Sequence, residues 1–149
     1  MLKNFGANSN NPKPNYFQIG DSSNLNERTR MNILANTDAF DLMFFALKGK
    51  KCSWQDRRPR MVCNDDFTMS VQASSTHYCS PKVQDAEIYE NFEIGYPSEV
   101  EMLIYDYAEN QDDLTQTVYA QVPKQIVIDV ILKHGGLNIE KTREWTTIE

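Results

Sequence analysis

The chain has 149 residues, of which 40% are hydrophobic and 11% aromatic, so it is long enough for one cored domain and too apolar for intrinsic disorder. Its net charge of −6 argues against general nucleic-acid binding, which depends on lysines and arginines that neutralise phosphates. No apolar run is long enough to cross a membrane, and the first residues lack the apolar segment of a secretory signal, so we expect a cytoplasmic protein.

Charge is distributed unevenly along the chain. Residues 84–113 contain ten acidic residues and no lysine or arginine, whereas residues 48–60 contain six basic residues and a single aspartate. A folded protein with this pattern is expected to carry one acidic and one basic surface.

The first 24 residues are rich in Asn, Pro, Gly and Ser and follow no sustained hydrophobic period. This composition favours a flexible or loosely packed N-terminal arm over residues 1–24. The remaining residues, 25–149, carry the apolar patterns of a single domain.

Two helices are predicted before the first strand. Residues 25–36 could form a short helix, although their apolar residues follow no consistent stripe. A stronger pattern follows, in which Asn36 or Thr37 caps a core helix that ends at Gly49. Its apolar stripe has the spacing i, i+3, i+4 and i+7 and consists of Phe40, Met43, Phe44 and Leu47.

Alternating apolar residues predict three strands in the middle of the chain. The segment MVCNDDFTMSVQAS predicts two strands joined by a turn at residues 64–66. The predicted core-facing residues of the second strand are Phe67, Met69, Val71 and Ala73, and those facing away are Thr68, Ser70, Gln72 and Ser74. IYENFEIGYP predicts a third strand, whose core-facing residues would be Ile88, Phe92, Ile94 and Tyr96.

The C-terminal part predicts a helix followed by a strand–helix unit. Ser98 and Glu101 form a capping box that favours a short helix, although EMLIYDY could also be a strand. TVYAQV then predicts a strand, Pro123 the first turn of a helix, and residues 135–136 its end. The last residues could add an edge strand or pack Trp145 onto the domain. Together these elements predict a single α+β domain, with a mainly antiparallel sheet of about four to five short strands and two to three helices.

His77 and the three cysteines are groups from which a metal site or a catalyst could be built. His77 and Cys79 would project to the same side of an extended segment, and with Cys52 and Cys63 they would supply a Cys₃His zinc site. Their wide spacings differ from the close ligand pairs of structural zinc sites. A Cys79 nucleophile with His77 as its base is the enzymatic version, but neighbours two apart on a strand seldom reach the required geometry. We therefore expect reduced thiols and no cofactor.

Other candidates for catalysis have simpler structural explanations. His134 lies in the last turn of a predicted helix, where a histidine can bond the free carbonyls at the negative end of the dipole. Acid pairs such as Asp112 and Asp113, or Glu99 and Glu101, could bind Mg²⁺ or act as acid and base, but acids in polar loops are usually a solvated surface. The chain also lacks the common phosphate-binding, dinucleotide-binding, metalloprotease and serine-hydrolase motifs. An enzyme is the less favoured interpretation.

The acidic segment supports a different hypothesis. Carboxylates interleaved with tyrosines offer a basic groove the repeated negative charge and flat aromatic faces that a nucleic acid offers. The predicted partner is therefore a protein with a basic surface. The alternative is that the acidic residues only keep the protein soluble. The candidate contact residues are Asp85, Glu87, Tyr89, Glu90, Glu93, Glu99, Glu101, Tyr105, Asp112 and Asp113.

Three segments, SVQASSTHYCSP, YENFEIGYPS and TVYAQVPKQIVIDVILKHGG, resemble small uncharacterised proteins encoded by bacteriophages and prophages. The resemblance extends from Val71 to Gly136 and carries no assigned activity. It implies a phage accessory protein in the host cytoplasm. Small acidic proteins of this kind resemble inhibitors that occupy a host defence complex in place of its nucleic acid, of the anti-CRISPR or anti-restriction type.

Three functional hypotheses follow. The leading one is a non-enzymatic accessory protein that binds a basic host protein through the acidic segment. The first alternative is a small metal-binding protein or enzyme centred on His77 and Cys79. The second is a self-associating structural or assembly protein, which would be a homo-oligomer.

Overall fold

The computed structural model describes residues 26–46 and 58–148. The predicted arm over residues 1–24 lies outside the described residues, as do Leu47, Gly49, Cys52 and most of the basic segment. The chain divides into two compact units, Met1–Leu34 and Ala35–Glu149. The second unit contains a four-stranded antiparallel sheet with helices, which confirms the predicted α+β class.

Helix α1 spans Glu27–Ala46 without a break, so the prediction of two helices with a cap at Asn36 or Thr37 is wrong. Asn26 supplies the cap instead, because its side-chain oxygen accepts a hydrogen bond from the amide three residues later at 2.7 Å. Asn36 lies inside the helix, where its side chain accepts a hydrogen bond from the Leu137 amide at 2.9 Å. The predicted core positions within the described part of the helix are buried, namely Phe40, Met43 and Phe44.

The sheet contains β1 (Met61–Val62), β2 (Thr68–Gln72), β3 (Asn91–Gly95) and β4 (Val118–Pro123), in that spatial order. Every neighbouring pair of strands is antiparallel. The turn at residues 64–66 joins β1 and β2 as predicted. The register between β3 and β4 shifts in the middle of β3, which is the signature of a β-bulge.

One face of the sheet forms the core. The four predicted core residues of the second strand, two within β2 and two at its ends, are buried, as are Phe92 and Ile94 of β3. Ile88 is 74% exposed and Tyr96 is 47% exposed, so their predicted core positions are wrong. The strand begins only at Asn91, and Tyr96 has a positive φ of 49°, so the alternation does not extend to either residue.

The segment after β3 forms a shorter helix than the capping box predicts. A 3-10 helix, η1, spans Met102–Tyr107, and Glu101 is its N-cap, accepting a hydrogen bond from the Leu103 amide at 2.9 Å. Ser98 does not cap this helix, because its hydroxyl oxygen accepts a hydrogen bond from the Thr68 amide of β2. The capping-box prediction therefore has the helix beginning three residues too early.

Two further helices complete the chain. Helix α2 (Lys124–Lys133) follows Pro123 directly and ends before Gly135 and Gly136, as predicted. The last residues form helix α3 (Ile139–Ile148), so the edge strand, one of the two predicted alternatives, is wrong. The other alternative is packing of Trp145, whose ring centre lies 5.9 Å from the guanidinium of Arg60. The side-chain oxygen of Asn138 accepts a hydrogen bond from the Lys141 amide and so caps α3. No helix in the described part of the chain has the length and apolar character of a membrane span.

Both outer strands have hydrogen-bond partners on their outer sides. Beside β1, the Val62 amide donates to the Thr142 hydroxyl of α3 at 3.0 Å, and its carbonyl accepts from the Asn138 amide at 2.8 Å. Beside β4, the Gln121 amide donates to the Tyr78 carbonyl at 3.1 Å, and the Val118 carbonyl accepts from the Glu109 amide. These contacts occupy backbone groups that an open sheet edge would leave unpaired.

Candidate functional site

The segment from Ser74 to Cys79 forms a hydrogen-bonded corner at the end of β2. The Ser74 hydroxyl lies 2.6 Å from His77 Nδ1 and accepts a hydrogen bond from the Thr76 amide at 3.0 Å. The Cys79 thiol donates to the Ser74 carbonyl at 3.2 Å. Burial raises the pKa of Cys79, which disfavours the reactive thiolate. The thiol is thus held by backbone groups, and His77 bonds a serine hydroxyl.

The predicted zinc ligands do not come together among the residues that the structure describes. Cys63 follows β1 and precedes β2 in the sequence, whereas Cys79 comes after β2. Both are buried, and burial raises the pKa of Cys63 to about 12. Cys52 lies outside the described residues. Within residues 26–46 and 58–148, the one set of three His, Cys, Asp or Glu side chains close enough to share an ion is a different one, which consists of Asp65, Glu99 and His134.

His134 is the centre of this second cluster. It follows α2 as the C-cap, which agrees with its predicted place in the chain. Its side chain, however, pairs with carboxylates and not with the helix carbonyls: Nδ1 lies 2.7 Å from Asp65 Oδ2, and Nε2 lies 2.7 Å from Glu101 Oε1. The imidazole also stacks on Phe67, with 4.0 Å between ring centroids and 12° between planes.

Glu101 anchors the cluster from inside the protein. It is 1% exposed, and its Oε2 accepts hydrogen bonds from Lys133 Nζ at 3.0 Å and from the Leu103 amide at 2.9 Å. Sequence reasoning missed the cluster because Asp65, Glu101 and His134 lie 33 and 69 residues apart along the chain. Nothing in the local pattern around any of them indicates the other two.

The predicted partner-contact residues divide by exposure. Asp85, Glu87, Glu90, Glu99, Asp112 and Asp113 are exposed, and so are two further acids of the segment, Asp106 and Glu109. Glu93 and Tyr105 are half-buried. Tyr89 is buried, and its hydroxyl donates to the Val83 carbonyl at 2.7 Å. Tyr89 and Glu101 therefore have structural roles.

Two loops, residues 81–90 before β3 and residues 108–117 after η1, are the acidic loops, and the half-buried Glu93 lies in β3, between them in the sequence. Its carboxylate accepts a hydrogen bond from the Tyr78 amide at 3.1 Å, next to the loop of residues 81–90. Burial raises the pKa of Glu93, and the negative charge of Glu109, in the loop after η1, raises it further. The charge of Glu109, from the second acidic loop, thus acts on a carboxylate of β3.

Exposed apolar side chains accompany these acids. Nine large apolar residues are notably exposed in the described part of the chain, and five of them lie within residues 83–102. These five are Val83, Ile88, Tyr96, Val100 and Met102. Large apolar side chains concentrated beside charged ones are typical of interaction surfaces, whereas single scattered ones are normal on any protein.

These two features can do different things chemically. The exposed acids and apolar residues can contact a basic macromolecule, and the His134 cluster can hold a cation or a proton between nitrogen and oxygen atoms. Comparison with known proteins finds no family model that matches the chain, and no match among curated proteins or solved structures.

Proposed function

We propose that the protein acts by binding a protein partner with a basic surface, without catalysing a reaction. One observation carries the proposal. Seven exposed carboxylates in residues 85–113 have no ion-pair partner among the residues that the structure describes, and exposed apolar side chains lie between them in the sequence. We call these seven the acidic surface, and they are Asp85, Glu87, Glu90, Asp106, Glu109, Asp112 and Asp113.

Charge alone would also suit a surface kept for solubility. The apolar side chains favour an interaction instead, because exposing Ile88 and Met102 to water has a free-energy cost that a partner removes by covering them. The exposed carboxylates that alternate with these apolar residues in the sequence would add selectivity, since they attract basic partners and repel acidic ones.

The proposed partner class is a protein that otherwise binds nucleic acid. A basic groove that receives phosphates would also receive a folded protein with repeated, unpaired carboxylates. The resemblance to phage accessory proteins extends the proposal to a host defence complex, with this protein as its inhibitor. Binding at the groove would then exclude the nucleic acid by direct competition.

The test is capture of the partner by charge-reversed variants. The test variant carries Glu87→Lys and Asp112→Lys, one change in each acidic loop. The matched control carries Asp38→Lys and Glu140→Lys, which change the net charge equally at exposed positions of α1 and α3. We expect the immobilised parent and the control to retain a basic, nucleic-acid-binding protein from host lysate. Double-stranded DNA should displace this protein from both, and the test variant should not retain it.

Two results would contradict the proposal. One is equal capture by the folded test variant and the control. The other is a captured partner that DNA does not displace. Variants at Glu101 are unsuitable for this experiment because reversing a buried, ion-paired carboxylate would disturb the fold.

A further inference from the structure

The imidazole of His134 is held in one orientation. It is 6% exposed and stacked on Phe67, and its Nε2 atom lies 2.7 Å from Glu101 Oε1. Glu101 is itself fixed by Lys133 and by the amide of Leu103. A histidine whose second nitrogen donates to a buried carboxylate has the arrangement that positions imidazole ligands in metalloproteins.

The other nitrogen, Nδ1, faces two carboxylates near the surface. Asp65 Oδ2 lies at 2.7 Å and Glu99 Oε2 at 3.9 Å, and their side chains are 47% and 63% exposed. Asp65 Oδ1 accepts a hydrogen bond from the Phe67 amide, so Oδ2 is the oxygen that faces the cluster. A neutral imidazole carries a hydrogen on only one nitrogen, so one of its two nitrogens would present a lone pair to a carboxylate oxygen 2.7 Å away, and two acceptors this close require a cation between them. That cation is either a proton or a metal ion.

The surrounding charge provides an independent indication. Three carboxylates surround the ring, whereas the cluster contains one lysine, Lys133. Burial raises the pKa of the nearby Tyr119 hydroxyl, and the negative charge of Glu101 contributes to the rise. The cluster therefore has negative charge that a divalent cation would neutralise.

We propose that Asp65, Glu99 and His134 bind one divalent first-row transition-metal ion, with Glu101 as the positioning residue for the imidazole. The three ligand atoms all lie within 4.8 Å of one another, and the two exposed carboxylates can move inward to the usual metal–ligand distance of about 2.0–2.2 Å. One imidazole and two carboxylates suit manganese, iron or zinc better than an ion that prefers oxygen ligands alone. Water completes the coordination.

Such an ion would link three separate parts of the chain. Asp65 lies in the turn between β1 and β2, Glu99 lies between β3 and η1, and His134 follows α2. None of these ligands belongs to the acidic surface. The metal site and the proposed partner binding are thus independent, and either can fail without the other.

Mn²⁺ alone is the appropriate probe, because the thiols of the chain prefer softer ions. The full-length protein is treated with EDTA, dialysed and titrated with MnCl₂, and free Mn²⁺ is followed by its electron paramagnetic resonance signal. We expect one saturable site per chain. Glu99→Gln should lower the affinity by at least about tenfold, since it removes a charged ligand and leaves the fold unchanged. The matched control is Glu109→Gln, an exposed acid outside the cluster, which should bind as the parent does.

A second measurement uses the stability of the protein. Saturating Zn²⁺ should raise the melting temperature of the parent and of Glu109→Gln, and raise that of Glu99→Gln less, because an ion bound to the native state stabilises it by mass action. Glu99 is exposed and makes no hydrogen bond within 3.5 Å in the described part of the chain, so its substitution avoids the folding problems expected at His134. Absence of a saturable Mn²⁺ site, or equal Mn²⁺ affinity in the two variants, would overturn the proposal.

Discussion

Asp129 is a buried carboxylate near the middle of α2. It is 3% exposed, and its Oδ1 atom accepts a hydrogen bond from Gln125 Nε2 at 3.1 Å. Burial raises its pKa from 3.8 to about 6, and the hydrogen bond from Gln125 offsets only part of this rise. The raised pKa means that the folded state binds this proton more tightly than the unfolded state does. Stability linked to Asp129 is therefore full below about pH 4 and lost as the pH rises through about 6.

We expect Asp129→Asn to stabilise the protein at neutral and basic pH. The amide carries no charge, so the variant avoids the cost of a buried carboxylate, about 1–3 kcal/mol in the free energy of unfolding at about pH 8. At about pH 4 the two proteins should have nearly equal stability, because the parent carboxyl is then largely protonated. Urea denaturation at both pH values measures the difference, with the exposed Asp112→Asn as a control. A difference independent of pH would contradict the assignment to Asp129.

At the scale of single residues, the sequence is least informative about which polar side chains are buried. Alternation places Gln72 on the polar face of β2, yet it is buried, because its amide group exchanges hydrogen bonds with the backbone of Arg58 at 2.8 and 2.7 Å. Arg58 belongs to the basic segment and is nevertheless buried, with its guanidinium 3.8 Å from the centre of the Phe44 ring. Apolar positions were predictable from periodicity, whereas these partners lie 14 or more residues apart and meet only in the fold.

At the scale of the secondary-structure element, the conformation of the loop from α2 to α3 depends on two glycines. Gly135 and Gly136 have φ values of 87° and 101°, in the region that disfavours side chains. A Cβ at Gly136 would also lie 3.1 Å from both Asn36 Oδ1 and Asn64 Nδ2. Those two atoms cannot move freely, because Asn36 bonds the Leu137 amide and Asn64 bonds the Gly135 carbonyl.

We expect Gly136→Ala to destabilise the protein more than Gly135→Ala. Both substitutions strain the backbone by about 1–2 kcal/mol, but only the first also displaces the two asparagine side chains and weakens their hydrogen bonds, adding about 1–2 kcal/mol. At Gly135 the nearest atom to a Cβ is 3.4 Å away, so the substitution there serves as the matched control. Thermal or urea unfolding compares the variants. Equal losses would mean that crowding around Gly136 does not contribute.

Elements were predictable where several local signals agree. The unit from β4 to Gly136 combines a strand pattern, proline, a helical apolar stripe and glycines, and these signals placed the strand and the helix correctly. The alternation itself is interrupted at Gln121, whose φ is 55°, so Tyr119 and Val122 are both buried. Helix α3 lacks a comparable stripe, and its start depends on Asn138 and on contact with β1. The first half of α1 is mostly exposed, so no apolar pattern indicated that the helix begins at Glu27.

At the scale of the whole molecule, the sequence predicted the exposure of most of the acidic segment, whereas most of the basic segment lies outside the described residues. Counting residues identified the acidic segment, and most of its carboxylates are exposed. Counting could not separate the acids available to a partner from those used internally, since Glu101 and Glu99 lie two residues apart and only Glu101 is buried. That separation depends on His134, which reaches them from the far end of α2.

The covered sheet edges restrict how this molecule can meet another. Backbone groups of both outer strands are already bonded within the described residues, at Val62 of β1 and at Val118 and Gln121 of β4. We therefore expect recognition through side chains and long-range charge more than through an extended ladder. The approach of a basic partner would then be steered by the field of the acidic surface. We expect the association rate constant to fall by about tenfold or more between about 0.05 and 0.5 M salt, while the dissociation rate constant changes much less. Surface plasmon resonance with the captured partner separates the two constants, and a salt effect confined to dissociation would argue against steering.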